Sequence, residues 1–268
     1  MDGTILVGID GSVASRAAIT WAIARAGDLE TGVSLLSVVD DEWGTISDRD
    51  LAELRTDTER VATRELAFAR GIADGVPVSA TVEVGAPMLE LAATASRHES
   101  VVIGSHKTGT FHGHALGSRG LQLAAVAPVP IAVVPVTSMK GRSGVVVGAG
   151  TAPGWIEAVR FAMGEAVRLG EPLTVLRSAQ GVPFGEQALG SLLDAGDEAE
   201  SSVDVMLHRS TAPAGEALAN ASHRAVLTIS GRPTEHGARG YRPLGRTNSD
   251  LLMNVGGPVI IVPHLTGA

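Results

Sequence analysis

Cysteine is absent from the 268-residue chain. Disulfides, thiolate nucleophiles and thiolate metal ligands are therefore excluded. Aromatic residues are scarce at 3%, so any core must be packed from Ala, Val, Leu and Ile. Basic residues are outnumbered, 21 Lys and Arg against 29 Asp and Glu, for a net charge of −8. That balance argues against broad capture of nucleic acid or anionic lipid, both of which need clustered cations. A local anion site is still open to it, because backbone amides can supply the positive potential. No apolar run is long enough to span a bilayer, and the chain starts in a strand instead of a basic leader, so the expectation is a cytoplasmic protein without a membrane partner. The Walker A sequence and the nucleophile elbow are missing too, which removes P-loop motors and that class of hydrolase.

What is present occurs twice. An apolar strand running into Gly8-Ile9-Asp10-Gly11-Ser12 returns at Gly148 to Ala152, and the apolar run from Val129 to Pro135 returns from Gly257 to Pro263. Val7 pairs with Val147 at an offset of 140, Gly85-Ala86-Pro87 with Thr211-Ala212-Pro213 and Ala95-Ser96 with Ala221-Ser222 at 126, and Gly117 with Gly245 at 128. The second copy is then expected to lack about fourteen residues in its middle and to gain two before Gly245. The expected domains are residues 1–137 and 144–268, joined by the polar stretch Thr137 to Ser143.

Within the first copy, short apolar runs alternate with helical patterns. Strands are expected at Thr4–Ile9, Val33–Val39, Val76–Val84, Val101–Gly104 and Pro130–Val136. Helices are expected after Ser12, with a stripe of Ala14, Ala17, Ala18, Trp21 and Ala22, and at Ser47–Gly71, Pro87–Arg97 and Ser118–Ala127. Trp155, Ala158, Val159, Ala162 and Met163 repeat the first stripe. The fold class is α/β: two tandem, doubly wound, parallel five-stranded sheets with helices on both faces.

In such a sheet, ligands bind beyond the carboxyl ends of the strands. Three places qualify: Asp10-Gly11-Ser12, the strand end at Val38 to Asp40, and the loop from Gly104 to Ser118. The last is glycine-rich, carries Lys107, and ends in Gly117-Ser118 at a helix start. Two readings fit it: exposed amides and a hydroxyl that take phosphate oxygens, or a plain loop whose Ser118 caps its helix. Asp40-Asp41-Glu42 reads as a solvated acidic turn near that place. His106, His112 and His114 share one loop, but with no cysteine or acidic ligand to complete a set they read as solvated, and no metal site is expected. Ser12 and Ser118 have no identifiable base partner.

The first copy resembles a universal stress protein domain, and the whole chain resembles a tandem member of that family. The family's signature is Gly, two residues, Gly, nine residues, then Gly-Ser or Gly-Thr; Gly104, Gly117 and Ser118 fall in register with it, and Lys107 replaces the second Gly. Asp10 matches the family's acidic residue after strand one, and Val38 its adenine-holding valine. The resemblance implies an adenine nucleotide alpha hydrolase-like fold that binds ATP, with Mg2+ where Asp10 approaches the phosphates. It implies a nucleotide site at Gly8, Ile9, Asp10, Gly11, Ser12, Val38, Gly104, Lys107, Gly117, Ser118 and Arg119. It further implies a regulatory, stress-response role with at most slow ATP hydrolysis. The fifth strands, expected at sheet edges, would pair within the chain as a pseudo-dimer, and a homodimer is left open.

The second copy departs at those positions: Asp10 becomes Gly150, Val38 becomes Ser178, Gly104 becomes Ser230 and Ser118 becomes Arg246. Arg232, Arg239, Arg242 and Arg246 gather around its longer loop. It is either a degenerate half that serves structure or an anion site built from guanidinium forks. Two alternative classes stand beside the regulatory reading: a nucleotide-hydrolysing enzyme, for which only Asp10 and Lys107 are candidates, and an interaction module without a ligand.

Overall fold

The computed structural model describes residues 3–41, 47–105, 118–150, 154–179, 189–191, 202–233 and 244–264. The chain divides into two compact units, the first ending at Val136 and the second running from Thr137.

The first unit contains β1 (Ile5–Gly8), α1 (Val13–Asp28), β2 (Val33–Asp40), α2 (Asp48–Ile72), β3 (Val78–Gly85), α3 (Pro87–Ala95), β4 (Ser100–Ser105), α4 (Ser118–Val126) and β5 (Ile131–Pro135). The strands lie in the order β3-β2-β1-β4-β5, each pair parallel. The order therefore turns back between β1 and β4, which leaves a crevice above their carboxyl ends. Branched aliphatic side chains fill β1, β4 and β5 and are buried, as a sheet covered on both faces requires.

Helix α1 starts where Ser12 accepts the Ser15 N–H on its hydroxyl at 3.1 Å. Its buried stripe is Ala14, Ala18, Ile19, Ala22, Ile23 and Ala26, while Ala17 and Trp21 are only half-buried. The expected stripe is thus rolled slightly, because turning Ile19 and Ile23 inward buries more apolar area than Ala17 offers.

Helix α2 is mostly exposed and buries only Ala62, Glu65 and Ala69. Glu65 is fully buried and accepts from the Arg16 guanidinium at 2.8 and 3.1 Å and from Arg64 Nε at 3.0 Å. Burial pushes its carboxyl up, but the hydrogen bonds and charges of Arg16 and Arg64 outweigh that and hold it below the ordinary 4.5. A depressed folded value stabilises the protein above the unfolded value, and that contribution is lost as pH falls through the folded one. Urea midpoints measured from pH 6 to pH 3 should hold near neutrality and drop below about pH 4.5. Arg16→Gln should start that decline at higher pH.

The second unit repeats the plan with β6 (Val145–Gly148), α5 (Trp155–Leu169), β7 (Leu173–Ser178), β8 (Val205–Ser210), α6 (Ala214–Ser222), β9 (Leu227–Arg232), α7 (Arg246–Met253) and β10 (Val259–Pro263). Its order is β10-β9-β6-β7-β8, again parallel. The pairings correct the expected alignment of the copies. Ile5 pairs with Ser100 and Val145 with Leu227, so Ser100 corresponds to Leu227 and Gly104 to Gly231, an offset of 127. Helices α3 and α6 agree, Pro87 matching Ala214. The middle is shorter by 13 residues (140 − 127), and one residue is regained before α7 (128 − 127). The expected match of Gly104 to Ser230 is therefore wrong: the glycine is kept as Gly231. Repeated Ala-Pro and Ala-Ser pairs favoured a one-residue slip, which the sheet forbids because it would turn every side chain to the other face.

The stretch Thr137 to Ser143 is tied to the second unit. Arg142 donates to the carbonyls of Ser138, Ser222, Ala225 and Gly256 and to the Thr137 hydroxyl, at 2.6 to 3.3 Å. A Cβ on Gly257 would stand 2.4 Å from its guanidinium, so a side chain there would evict it.

Candidate functional site

A cavity of about 490 Å3 opens at the β1–β4 crevice of the first unit. Gly8 of β1, Ile9 just after it, and Ile103 and Gly104 of β4 reach it from the sheet, and Leu36, Val38 and Asp40 of β2 form one side. Asp10, Ser12 and Ser15 come from the first loop and the first turn of α1; Pro87, Met88 and Leu91 come from α3, and Arg119 and Gly120 from α4.

Local chemistry fixes the first loop. The Ser12 N–H donates to Asp10 Oδ1 at 2.9 Å, while Gly11 adopts φ 77°. A Cβ at Gly11 would meet only the movable Arg64 guanidinium and Val61, so it is the left-handed conformation that favours glycine there. The Ser12 hydroxyl is the α1 cap, and the Ser15 hydroxyl donates back to the Ser12 carbonyl at 3.0 Å. Ile9 spends its backbone on the sheet: its N–H donates to Leu36 at 2.9 Å, and its carbonyl accepts from Ser37 Oγ at 3.1 Å.

Gly104 does two things. It lines the cavity, and it lets the amino end of α1 settle on β4. A Cβ there would lie 2.2 Å from the Ala14 carbonyl oxygen and 2.8 Å from the Ser15 nitrogen. Gly231 stands in the same relation to Gly154, with 2.2 Å to its carbonyl oxygen. The glycine is therefore required by helix packing in both units.

Of the residues expected from the sequence, Gly8, Ile9, Asp10, Ser12, Val38, Gly104 and Arg119 line one cavity, and Gly11 shapes its loop. Lys107, Gly117 and the three loop histidines lie outside the described residues, as does the side chain of Ser118, which begins α4. Asp40 is a correction: it is not a solvated turn residue but half-buried in the cavity wall, and its carboxylate accepts from Arg119. Sequence reasoning also missed the apolar wall of Met88 and Leu91. Its signal was a proline opening a helix straight after β3, with apolar residues three apart behind it. Among the described residues, no cluster of three metal-ligating side chains forms, and no helix is long and apolar enough to cross a membrane.

The wall suits a ligand with a flat apolar part and a polar, hydrogen-bonding end. Met88, Leu91, Ile103 and Val38 serve the first, and Asp10, Asp40 and Arg119 the second. Among the described lining residues, the groups able to take a proton are the carboxylates Asp10 and Asp40.

In the second unit the matching positions are altered. Ser15 is replaced by Trp155, Gly120 by Asn248 and Ser105 by Arg232. Asn248 is buried and donates to the Gly231 carbonyl at 3.0 Å, a side chain where the first unit has none. Ser178, in place of Val38, donates to the Ala212 carbonyl at 2.8 Å.

The family model described as the universal stress protein family matches residues 1–135. A universal stress protein from Archaeoglobus fulgidus DSM 4304 is similar in structure across 98% of this chain and 99% of its own, with a TM-score of 0.79 at 16% identity. A putative universal stress protein from Pseudomonas aeruginosa UCBPP-PA14 covers 97% and 93%, with a TM-score of 0.61 at 16% identity. At that identity the likeness speaks for the fold. No curated protein matches the sequence.

Proposed function

The chain belongs to the universal stress protein family, and from that premise we propose that its first unit binds an adenine nucleotide, ATP or a close relative, and acts as a regulatory protein and not as an enzyme. The observation that carries the reading is the cavity itself. Residues far apart in sequence, Asp10, Val38, Gly104 and Arg119, border one space at the strand ends. Val38 and the α3 wall suit the base. Asp10 suits ribose hydroxyls or a Mg2+ ion shared with phosphates, and Arg119 at the start of α4 suits a phosphate. The second unit, with Gly150, Ser178 and Thr247 at three of these positions, is the degenerate half and supplies structure.

Thermal melts with ATP, ADP and AMP, with and without Mg2+, test the reading. A ligand that binds only the folded state stabilises it by about 2.7 kcal/mol at a hundred times its Kd, so a clear rise in Tm is expected. Gly120→Asn, which installs the residue of the second unit, should abolish the rise while leaving the unliganded Tm nearly unchanged. No shift with any of the three nucleotides at millimolar concentration rejects the reading.

A further inference from the structure

Arg119 and Asp40 meet across the cavity. Arg119 is the second residue of α4 and Asp40 the last of β2, and the guanidinium donates to Asp40 Oδ2. Asp40 is largely sheltered, its side chain 18% exposed, while that of Arg119 is 50% exposed. Among the described lining residues Arg119 is the only cation, and it shares the cavity with two carboxylates, Asp10 and its partner Asp40. The cation best placed to receive an anion is thus already taken by one wall of the site.

An entering phosphate must compete with Asp40 for that guanidinium. Success leaves the Asp40 carboxylate sheltered, without Arg119, and beside the new anion. Like charges at such range repel, and the repulsion grows with the charge that the ligand brings. By sequence register the second unit has neither member: Thr247 falls at the Arg119 position and Gln180 at the Asp40 position. The pair is absent from the unit that has lost the cavity's other polar groups, which ties it to the site rather than to the fold.

We propose that the Asp40–Arg119 pair is a charge filter, in which Asp40 restrains Arg119 and penalises each further negative charge on a ligand's phosphate tail. The inference rests on the nucleotide reading and adds to it a specificity for weakly charged nucleotides when no divalent cation is present. Asp40 is a specificity-determining residue, and Arg119 is the group it withholds.

Calorimetric Kd values for adenosine, AMP and ATP in chelator, at low and high salt, decide it. In Asp40→Asn, adenosine affinity should stay within about twofold, AMP should tighten about threefold and ATP about tenfold, the gains shrinking at high salt. Arg119→Met should weaken AMP and ATP but not adenosine. The double variant should lose the gain that Asp40→Asn alone confers. An equal gain for adenosine and ATP, or no gain for ATP, overturns the filter while leaving the nucleotide reading intact. Failure of all three ligands to bind any of these variants or the wild type overturns both.

Discussion

Gly104→Ala should lower stability by about 3 kcal/mol and remove nucleotide-dependent stabilisation with it. The added methyl has no flexible side chain to push aside. It would stand 2.2 Å from the Ala14 carbonyl oxygen and 2.3 Å from its carbon, both backbone atoms of the first turn of α1. Relief requires α1 to lift from β4, and that turn carries Ser12 and Ser15 of the cavity wall. Gly231→Ala should cost a similar amount, because the Gly154 carbonyl oxygen lies 2.2 Å from its new methyl. Its effect should spare the ligand response of the first unit. Gly164→Ala is the control: it lies inside α5 with nothing within 4 Å of the added carbon, and it should stabilise slightly through helix propensity. Urea unfolding with and without nucleotide measures all three. A Gly104→Ala protein as stable as wild type would show that the helix does not need this glycine.

Arg142→Ala should destabilise the second unit by about 3 kcal/mol. One guanidinium there serves the carbonyls of Ser138, Ser222, Ala225 and Gly256 and the Thr137 hydroxyl. Burial lowers its pKa, yet it remains charged at any working pH. Truncation strands part-buried carbonyls that the fork had satisfied. Arg142→Lys should recover little, since a single ammonium cannot span acceptors that a planar fork reaches. Hydrogen exchange in β9 and β10 should accelerate in both variants, with β1 and β4 unaffected. Protection unchanged in all four strands would reject the clamp.

Most of the fold was legible because the signals were local. Apolar runs bounded by turn residues gave every strand of the first unit to within about two residues. The helices were legible by their apolar spacing and composition, and the structure adds their starts: Ser12 and Ser47 cap, and Pro87 takes the first helical position. Asp10 and Val38 were legible as candidates because they lie at or just beyond the carboxyl ends of strands. Asp40 and Arg119 were not legible as a pair: 79 positions separate them, and nothing local links an acidic turn to the start of α4. The slip between Ser230 and Gly231 has the same origin. Neighbouring small residues look alike along the chain, and only pairing across the sheet tells them apart.

The second unit keeps the strand order, the register and the glycine under the helix start, and at the matching described positions it differs in side chain: Trp155 for Ser15, Ser178 for Val38 and Asn248 for Gly120. Such differences are reversible in principle by substitution alone. The retained framework is a ready scaffold into which selection, or a designer, could cut a second pocket of different taste without first refolding the chain.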